Sequence, residues 1–396
     1  MNLDYDQEDG AFREEVRAFV EANLPADIAE RVRRFAHPPR EDIATWMRIL
    51  YEKGWAAVGW PVEYGGTEWS GMRRIIFEEE CLNGDAPPQH FANIHSVGPV
   101  IFTFGTDAQK ERFLQPMLRG DEIWCQGFSE PGAGSDLASL TTRAERDGDD
   151  YIVNGQKLWT SDADISDYMF ALVRTDPNVA KQKGISFLLI DMKSPGLTVR
   201  PIKLIDGSHA VCEVIFDNVR VPAANLVGSE GQGWSIAKFL LANERAFSAE
   251  VPSTKRDMKK IAEIARKTEY QGKTLWDYAI FRARFAELQS ELEALEYSVM
   301  RAVTSGDHDA SGLASLVKIP GSELRQKASA LIVEAIGPYG MARYPVSDED
   351  SAIDDLPGPM EARNAAATFA FRRATTIYGG ANEVQREIIA KANLQL

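Results

Sequence analysis

The sequence predicts an α+β protein in three parts: an N-terminal helical domain, a central antiparallel β barrel or sandwich, and a C-terminal four-helix bundle. Three observations carry that expectation. The apolar period is helical up to about Gly120; it gives way to short β-branched and aromatic runs as far as Phe216; and it turns helical again, with a longer seam, after Gly228 and Gly233. A chain of 396 residues has room for two or three domains. The period changes put their boundaries at residues 1–120, 121–231 and 232–396.

In the first part, Phe12, Val16, Phe19 and Val20 make one helical face that stops near Pro25, and Ile43, Trp46, Met47 and Leu50 make another. Trp60 to Gly66 is a turn-rich connection, and Arg73 to Glu80 resumes helical spacing. Two more short helices are expected between Val97 and Leu118, separated by Gly105 and closed by Gly120. In the second part, Tyr151 to Val153, Tyr168 to Val173, Ile185 to Asp191, Leu197 to Ile202 and Val211 to Phe216 read as strands. Turn signals separate them and no helical pattern intervenes. In the third, Phe281, Phe285, Leu288, Leu292, Leu295 and Val299 alternate fours and threes, the seam of a long bundle helix. Met341 to Met360, rich in Pro and Asp, is expected to be a solvated loop.

Composition excludes several classes of function. The formal charge is −15, and no basic stripe interleaved with aromatics occurs, which argues against nucleic acid and anionic membranes as partners. Cys81, Cys125 and Cys212 are odd in number and widely spaced, so neither a disulfide framework nor a zinc site is expected. His37, His90, His95, His209 and His308 are too scattered for metal ligation. The N-terminus is acidic where a secretory leader would be basic, and no apolar run is long enough to cross a bilayer. The expected location is the cytoplasm.

The most informative stretch is Trp124 to Asp136, WCQGFSEPGAGSD. An apolar run from Ile123 to Phe128 leads into Ser129, Glu130 and Pro131, then Gly132 and Gly134, with Ser135 and Asp136 after them. A strand ending in such a loop lets backbone N–H groups and hydroxyls approach an anionic group such as a pyrophosphate. Three further segments stand in order behind it: Asn154 to Ser161 (NGQKLWTS), Phe216 to Pro222 (FDNVRVP) and Ile377 to Arg386 (IYGGANEVQR).

Together these four motifs and the domain order resemble the acyl-CoA dehydrogenase family of flavoproteins over nearly the whole chain. The resemblance implies FAD as cofactor, with Gln126, Phe128 and Ser129 along the flavin, Gly134 and Ser135 near the pyrophosphates of cofactor or CoA, and Trp159, Thr160 and Ser161 flanking the ring. It implies α,β-dehydrogenation of an acyl-CoA thioester to the trans-2-enoyl-CoA, as in fatty acid or sterol degradation, with an electron-transfer flavoprotein as acceptor. Relatives that carry out oxidase or elimination chemistry, and a non-catalytic partner subunit, are the alternatives.

Two departures from the family pattern matter. Most members carry the catalytic Glu directly after the Tyr of the C-terminal motif, where this chain has Gly379. A minority branch, the isovaleryl- and long-chain-specific type, places the Glu on a helix just before an Arg. Here that position is Glu244, followed by Arg245. By resemblance Glu244 is the base, and Gly379 holds the thioester oxygen through its N–H. Arg245 and Gly380 are then expected on the CoA ester. The second departure lies where the family grips a neighbouring subunit's cofactor. The Arg-x-x-Phe-Gly motif has become Arg266-Lys267-Thr268-Glu269-Tyr270, Ala279 replaces a Gln, and the Gly-Gly turn reads Glu334 to Gly340, EAIGPYG. The resemblance thus implies a tetramer, either a homomer or a mixed assembly with a homologous second subunit. Bacterial mixed assemblies of that kind act on bulky esters such as steroid side chains or dicarboxylates.

Overall fold

The apolar stripe of α1 (Gln7–Asn23) buries Phe12, Val16 and Val20 against the first core. The computed structural model describes residues 7–35, 37–245, 249–304, 310–345 and 356–393, apart from the side chains of 242–245, 302–304, 310–313 and 392–393. Pro25 opens α2 (Ala26–Arg34). The helix α3 (Arg40–Lys53) buries Ile43, Trp46, Met47 and Leu50. Ser70 caps α4 (Gly71–Asn83) by accepting from Arg73 N at 3.2 Å. A π-turn, Ala92–Val97, runs into α5 (Gly98–Phe104), and a Thr106/Gln109 capping box starts α6 (Asp107–Arg119).

The central strands are β1 (Trp124–Gly127), β2 (Arg143–Asp147), β3 (Asp150–Ser161), β4 (Tyr168–Arg174), β5 (Ile185–Asp191), β6 (Leu197–Ile202), β7 (Val211–Pro222) and β8 (Leu226–Val227). They form one sheet in the order β6-β7-β3-β2-β4-β5-β8. The sheet is mixed rather than wholly antiparallel, because β1 runs parallel to β4 with Trp124 opposite Tyr168. Strands β4 and β5 are covered on both faces. Phe170, Leu172, Phe187 and Leu189 share the core of the N-terminal helices, whereas Met169, Ala171, Val173, Leu188 and Ile190 fill the core on the other side. Apart from Ala171, each such side chain contributes about 1.5–3 kcal/mol of burial, so this strand pair anchors the first domain to the second.

The chain continues through α7 (Gly233–Arg245) and α8 (Val251–Lys267), and then a small hairpin, β9 (Glu269–Tyr270) and β10 (Lys273–Thr274). It ends with α9 (Ala279–Thr304), α10 (Ala310–Ile336), α11 (Ala365–Phe371) and α12 (Asn382–Asn393). The seam read from the sequence is the inner face of α9, with Phe281, Leu288, Leu292, Leu295 and Val299 all buried. Helices α8, α9 and α10 enclose a separate core, and α12 lies along α10. Ile236, Ala237 and Leu240 of α7 belong instead to the core shared by the N-terminal helices and the sheet. All three cysteines are buried free thiols. No helix among the described residues is long and apolar enough to cross a membrane. Residues 346–355 of the expected Pro/Asp-rich loop lie outside the described residues.

Candidate active site

The loop after β1 and the middle of β3 are held together by one buried ion pair. Lys157 is fully buried, and its Nζ donates to Glu130 Oε1 at 2.8 Å and to Phe128 O at 3.1 Å. Glu130 also accepts from Thr141 N (2.7 Å), Thr141 Oγ1 (2.9 Å) and Thr142 N (3.0 Å). Burial alone would raise the Glu130 carboxyl, but the Lys157 ammonium and these donors outweigh it and bring it down to about 2. Leu158 N donates to Ser129 O at 2.9 Å, so the two motifs meet along their backbones.

Beyond Glu130 the loop turns back on itself, with Glu130 and Ala133 exchanging backbone hydrogen bonds of 3.0 Å in both directions. Gly132, Gly134, Ser135 and Asp136 are exposed. Among the described residues their N–H groups have no acceptor. Neither glycine has a positive φ, and a Cβ at either would meet no atom of the chain. Nothing in the chain's own packing therefore requires glycine there. A row of free N–H groups open to close approach suits a phosphate.

Strand β3 slips register against β7 between Lys157 and Thr160. At that bulge Trp159 has φ +62° and is 58% exposed. An exposed indole on a left-handed backbone is a strained arrangement that cores do not need and that clusters at ligand sites. Ser161 is exposed as well, whereas Thr160 points into the sheet, where its hydroxyl has no partner among the described residues. Trp159 and Ser161 are thus left on the exposed face, and Thr160 offers only its backbone there. Phe128 is similar. Its ring packs edge-on against Phe170 and Phe187 at 5.8 and 6.3 Å, so only its backbone remains for a ligand. Gln126 is half-buried on β1.

The second cluster is the turn between α11 and α12. Gly379 and Gly380 have φ of +65° and +85°. Both are exposed, and among the described residues neither N–H has an acceptor. The buried Gln385 amide holds the turn from beneath, donating to Gly379 O and Gly380 O at 3.2 Å each. A Cβ at Gly380 would lie 2.5 Å from that amide nitrogen, while one at Gly379 would enter open space. Replacing Gln385 with Leu removes both bonds. We expect a stability loss of about 1–3 kcal/mol in thermal unfolding, and a fall in kcat of roughly tenfold with little change in KM.

Glu244 and Arg245 occupy the last turn of α7, and their side chains lie outside the described residues. Helix α7 packs on the π-turn, on β4 and β5, and on α10. The π-turn carries His95, whose imidazole is pushed down to about 4 by burial and is therefore neutral at physiological pH. Six residues after Glu244, the carboxylate of Glu250 accepts from Tyr378 Oη at 3.5 Å and Arg372 Nη1 at 2.9 Å and forms an ion pair with Arg325, whose Nε lies 3.1 Å away. Tyr378 directly precedes Gly379. The sequence reading did not single out Lys157, Gln385 or Glu250. A lysine at an inward-facing position of a strand is the one signal that could have found the first.

Three family models cover nearly the whole chain: acyl-CoA dehydrogenase, N-terminal domain at residues 6–121, middle domain at 125–219 and C-terminal domain at 231–394. The chain belongs to the acyl-CoA dehydrogenase family. Members of this family are flavin-dependent oxidoreductases that act on CH–CH bonds and bind FAD. Among similar proteins, acyl-CoA dehydrogenase IpdE1 of Mycobacterium tuberculosis is 35% identical over 97% of each chain. Acyl-CoA dehydrogenase FadE29 of the same organism is 33% identical over 100% of this chain and 99% of its own. Among solved structures, the ChsE4-ChsE5 complex from M. tuberculosis superposes with a TM-score of 0.86 at 33% identity, over 100% of this chain and 99% of that one. The Tcur3481-Tcur3483 steroid acyl-CoA dehydrogenase superposes at 0.88 and 30% identity, again over 100% and 99%. The residues present fit FAD: the free N–H groups of the loop suit its pyrophosphate, and the strained, exposed Trp159 beside Ser161 offers a face for its ring.

Where the family grips a neighbour's cofactor, the guanidinium of Arg266 sits 4.6 Å over the Trp276 ring. Glu269 and Tyr270 are exposed on the β9–β10 hairpin. Pro338, in the turn after α10, has no N–H to offer.

Proposed function

We propose that this chain dehydrogenates an acyl-CoA thioester between Cα and Cβ, with Glu244 as the base. The Gly379 N–H receives the thioester oxygen, and Arg245 and Gly380 lie along the CoA ester. As Glu244 takes the α-proton, negative charge builds on that oxygen, and a fixed donor there stabilises it. When bound, FAD supplies the acceptor for the β-hydrogen and its electron pair. Ser129, Gly134, Ser135, Trp159 and Ser161, with the backbones of Gln126, Phe128 and Thr160, hold that cofactor.

The supporting observation is the contact between Glu250 and Tyr378. Six residues of chain span at most about 20 Å, and α7 packs on α10, which also carries α12 and bonds Thr375 and Asn382 on either side of the Gly379–Gly380 turn. The product is the trans-2-enoyl-CoA, and an electron-transfer flavoprotein reoxidises the enzyme. The altered Arg266 to Tyr270 and Gly337 to Gly340 segments, with relatives whose structures are complexes of two different chains, favour a mixed assembly on a bulky acyl group.

Anaerobic titration with straight, branched, dicarboxylic and steroid acyl-CoA esters tests the reaction. At least one ester bleaches the flavin absorbance, and colour returns faster with electron-transfer flavoprotein than with air. Fast reoxidation by air would favour an oxidase, and no bleaching by any ester would favour a non-catalytic subunit. Co-expression with a homologous second chain raises the flavin bound per chain. A homomer that already carries one flavin per chain would rule out the mixed assembly.

A further inference from the structure

One buried face of α10 is polar where a bundle helix is ordinarily apolar. Ser315, Lys318, Ser322, Arg325 and Ser329 recur at alternating threes and fours, and each is 3% exposed or less. An aliphatic stripe at that spacing would be buried at less cost. Ser322, Arg325 and Ser329 bond across to neighbouring elements. The Ser322 carbonyl accepts from Thr375 Oγ1 at 3.1 Å, Ser329 Oγ accepts from Arg373 Nη2 at 3.1 Å, and Arg325 pairs with Glu250 at 3.1 Å and Asp257 at 2.6 Å.

Lys318 differs from Arg325 in having no ion pair among the described residues. Its Nζ donates to Asn382 Oδ1 at 2.9 Å, and Ser322 Oγ lies 3.2 Å from the same oxygen. Burial pushes the ammonium down to about 8, so it still carries its charge at neutral pH. Glu383 favours that charge from the surface, where it also pairs with Arg386 at 3.7 Å. Asn382, itself buried, is the first residue of α12, and its N–H donates to Thr376 O at 2.9 Å. That bond closes the loop 376–382, which contains Gly379 and Gly380. Both flanks of the loop, Thr375 and Asn382, therefore stand on the single turn of α10 from Lys318 to Ser322, with a buried cation at its foot.

We propose that Lys318 is a positioning residue of the reaction: through Asn382 it sets the Gly379 turn, and its unneutralised charge behind that turn stabilises the negative charge that builds on the thioester oxygen. A buried charge is weakly screened, so it acts from Asn382 to Gly379, three positions earlier. The positive end of the α12 dipole, which begins at Asn382, adds to it. A tether alone would need a hydrogen bond there and no cation. The proposal rests on the dehydrogenase reading only for where the thioester oxygen lies.

Ionisation of a bound ligand tests it. A 3-ketoacyl-CoA, acetoacetyl-CoA or a longer homologue, loses its α-proton to give an ultraviolet-absorbing enolate without being oxidised. Its pH titration on the flavin-loaded full chain reads the stabilisation of negative charge directly. A plain alkyl-CoA thioether, which has no carbonyl, reports binding alone. Wild type holds the enolate at a lower pH than water does. Lys318→Met moves the midpoint up by about one unit, a tenfold loss, while thioether binding is unchanged. Asn382→Asp keeps the shape of the side chain and the contact with Lys318 but cancels its charge, so it gives a similar shift. That variant folds, because an Asp beside a cation at a helix N-terminus is stabilising. A midpoint left unchanged by Asn382→Asp overturns the proposal, since a structural tether survives that exchange. A wild-type shift kept by both variants overturns the role of Lys318 alone. If wild type holds the enolate no better than water does, the placing of the thioester oxygen at Gly379 fails and the proposal with it.

Discussion

Replacing Glu244 with Gln lowers acyl-CoA turnover by about 10³-fold, the span that a positioned general base supplies, while flavin content and thermal stability stay near wild type. Glutamine keeps the size of the side chain and cannot take a proton, so the loss falls on kcat and kcat/KM together. Steady-state kinetics with the best ester from the titration measure it. The double exchange Glu244→Gly with Gly379→Glu is informative because a Cβ at Gly379 enters open space. The φ of +65° there costs a non-glycine residue about 1–2 kcal/mol. The exchange should regain at least tenfold over Glu244→Gly alone. Full turnover in Glu244→Gln would move the chemistry to another chain.

Lys157→Met is the second large effect. It leaves Glu130 buried without its cation, which costs about 3 kcal/mol even though Thr141 and Thr142 still donate. It also frees Phe128 O, so the loop that carries Gly134 and Ser135 loosens and flavin is lost on gel filtration. The pH dependence has a definite sign. The Glu130 carboxyl is depressed in the folded state, so its contribution is complete above the ordinary glutamate value and is lost as pH falls toward about 2. The stability advantage of wild type over Glu130→Gln is therefore full at pH 6 and shrinks steadily below pH 4.5. An advantage that grew on acidification would contradict the pairing.

The helices were legible because their apolar residues recur at helical spacing. The buried seam of α9 and the stripe of α1 were read residue by residue. The strand β6 matches its expected bounds because both of its ends are turn signals. The strand β3 was read only as far as Val153. Beyond it, two register shifts, at Asn154 and at Leu158 to Trp159, break the alternation that marks a strand. The parallel pairing of β1 with β4 was also hidden, since the two strands are far apart in sequence and joined through β2 and β3. At the candidate site, motif likeness singled out the loop and Trp159 but could not say which atoms face outward. The pleat decides that for Thr160, and core packing decides it for Phe128. The groups beneath the site, Lys157, Gln385 and Glu250, act through bonds to backbone or to other side chains, and a sequence carries no periodic trace of such contacts.

Hydrogen exchange at the α-carbon tests the central claim most directly. An acyl-CoA whose β-carbon bears no hydrogen can lose an α-proton to the base but can go no further. In heavy water, followed by proton NMR, the wild-type protein should exchange the α-hydrogens of such an ester. Glu244→Gln should not, although it binds the ester equally well. Exchange at the wild-type rate in the variant would show that some other group removes the proton.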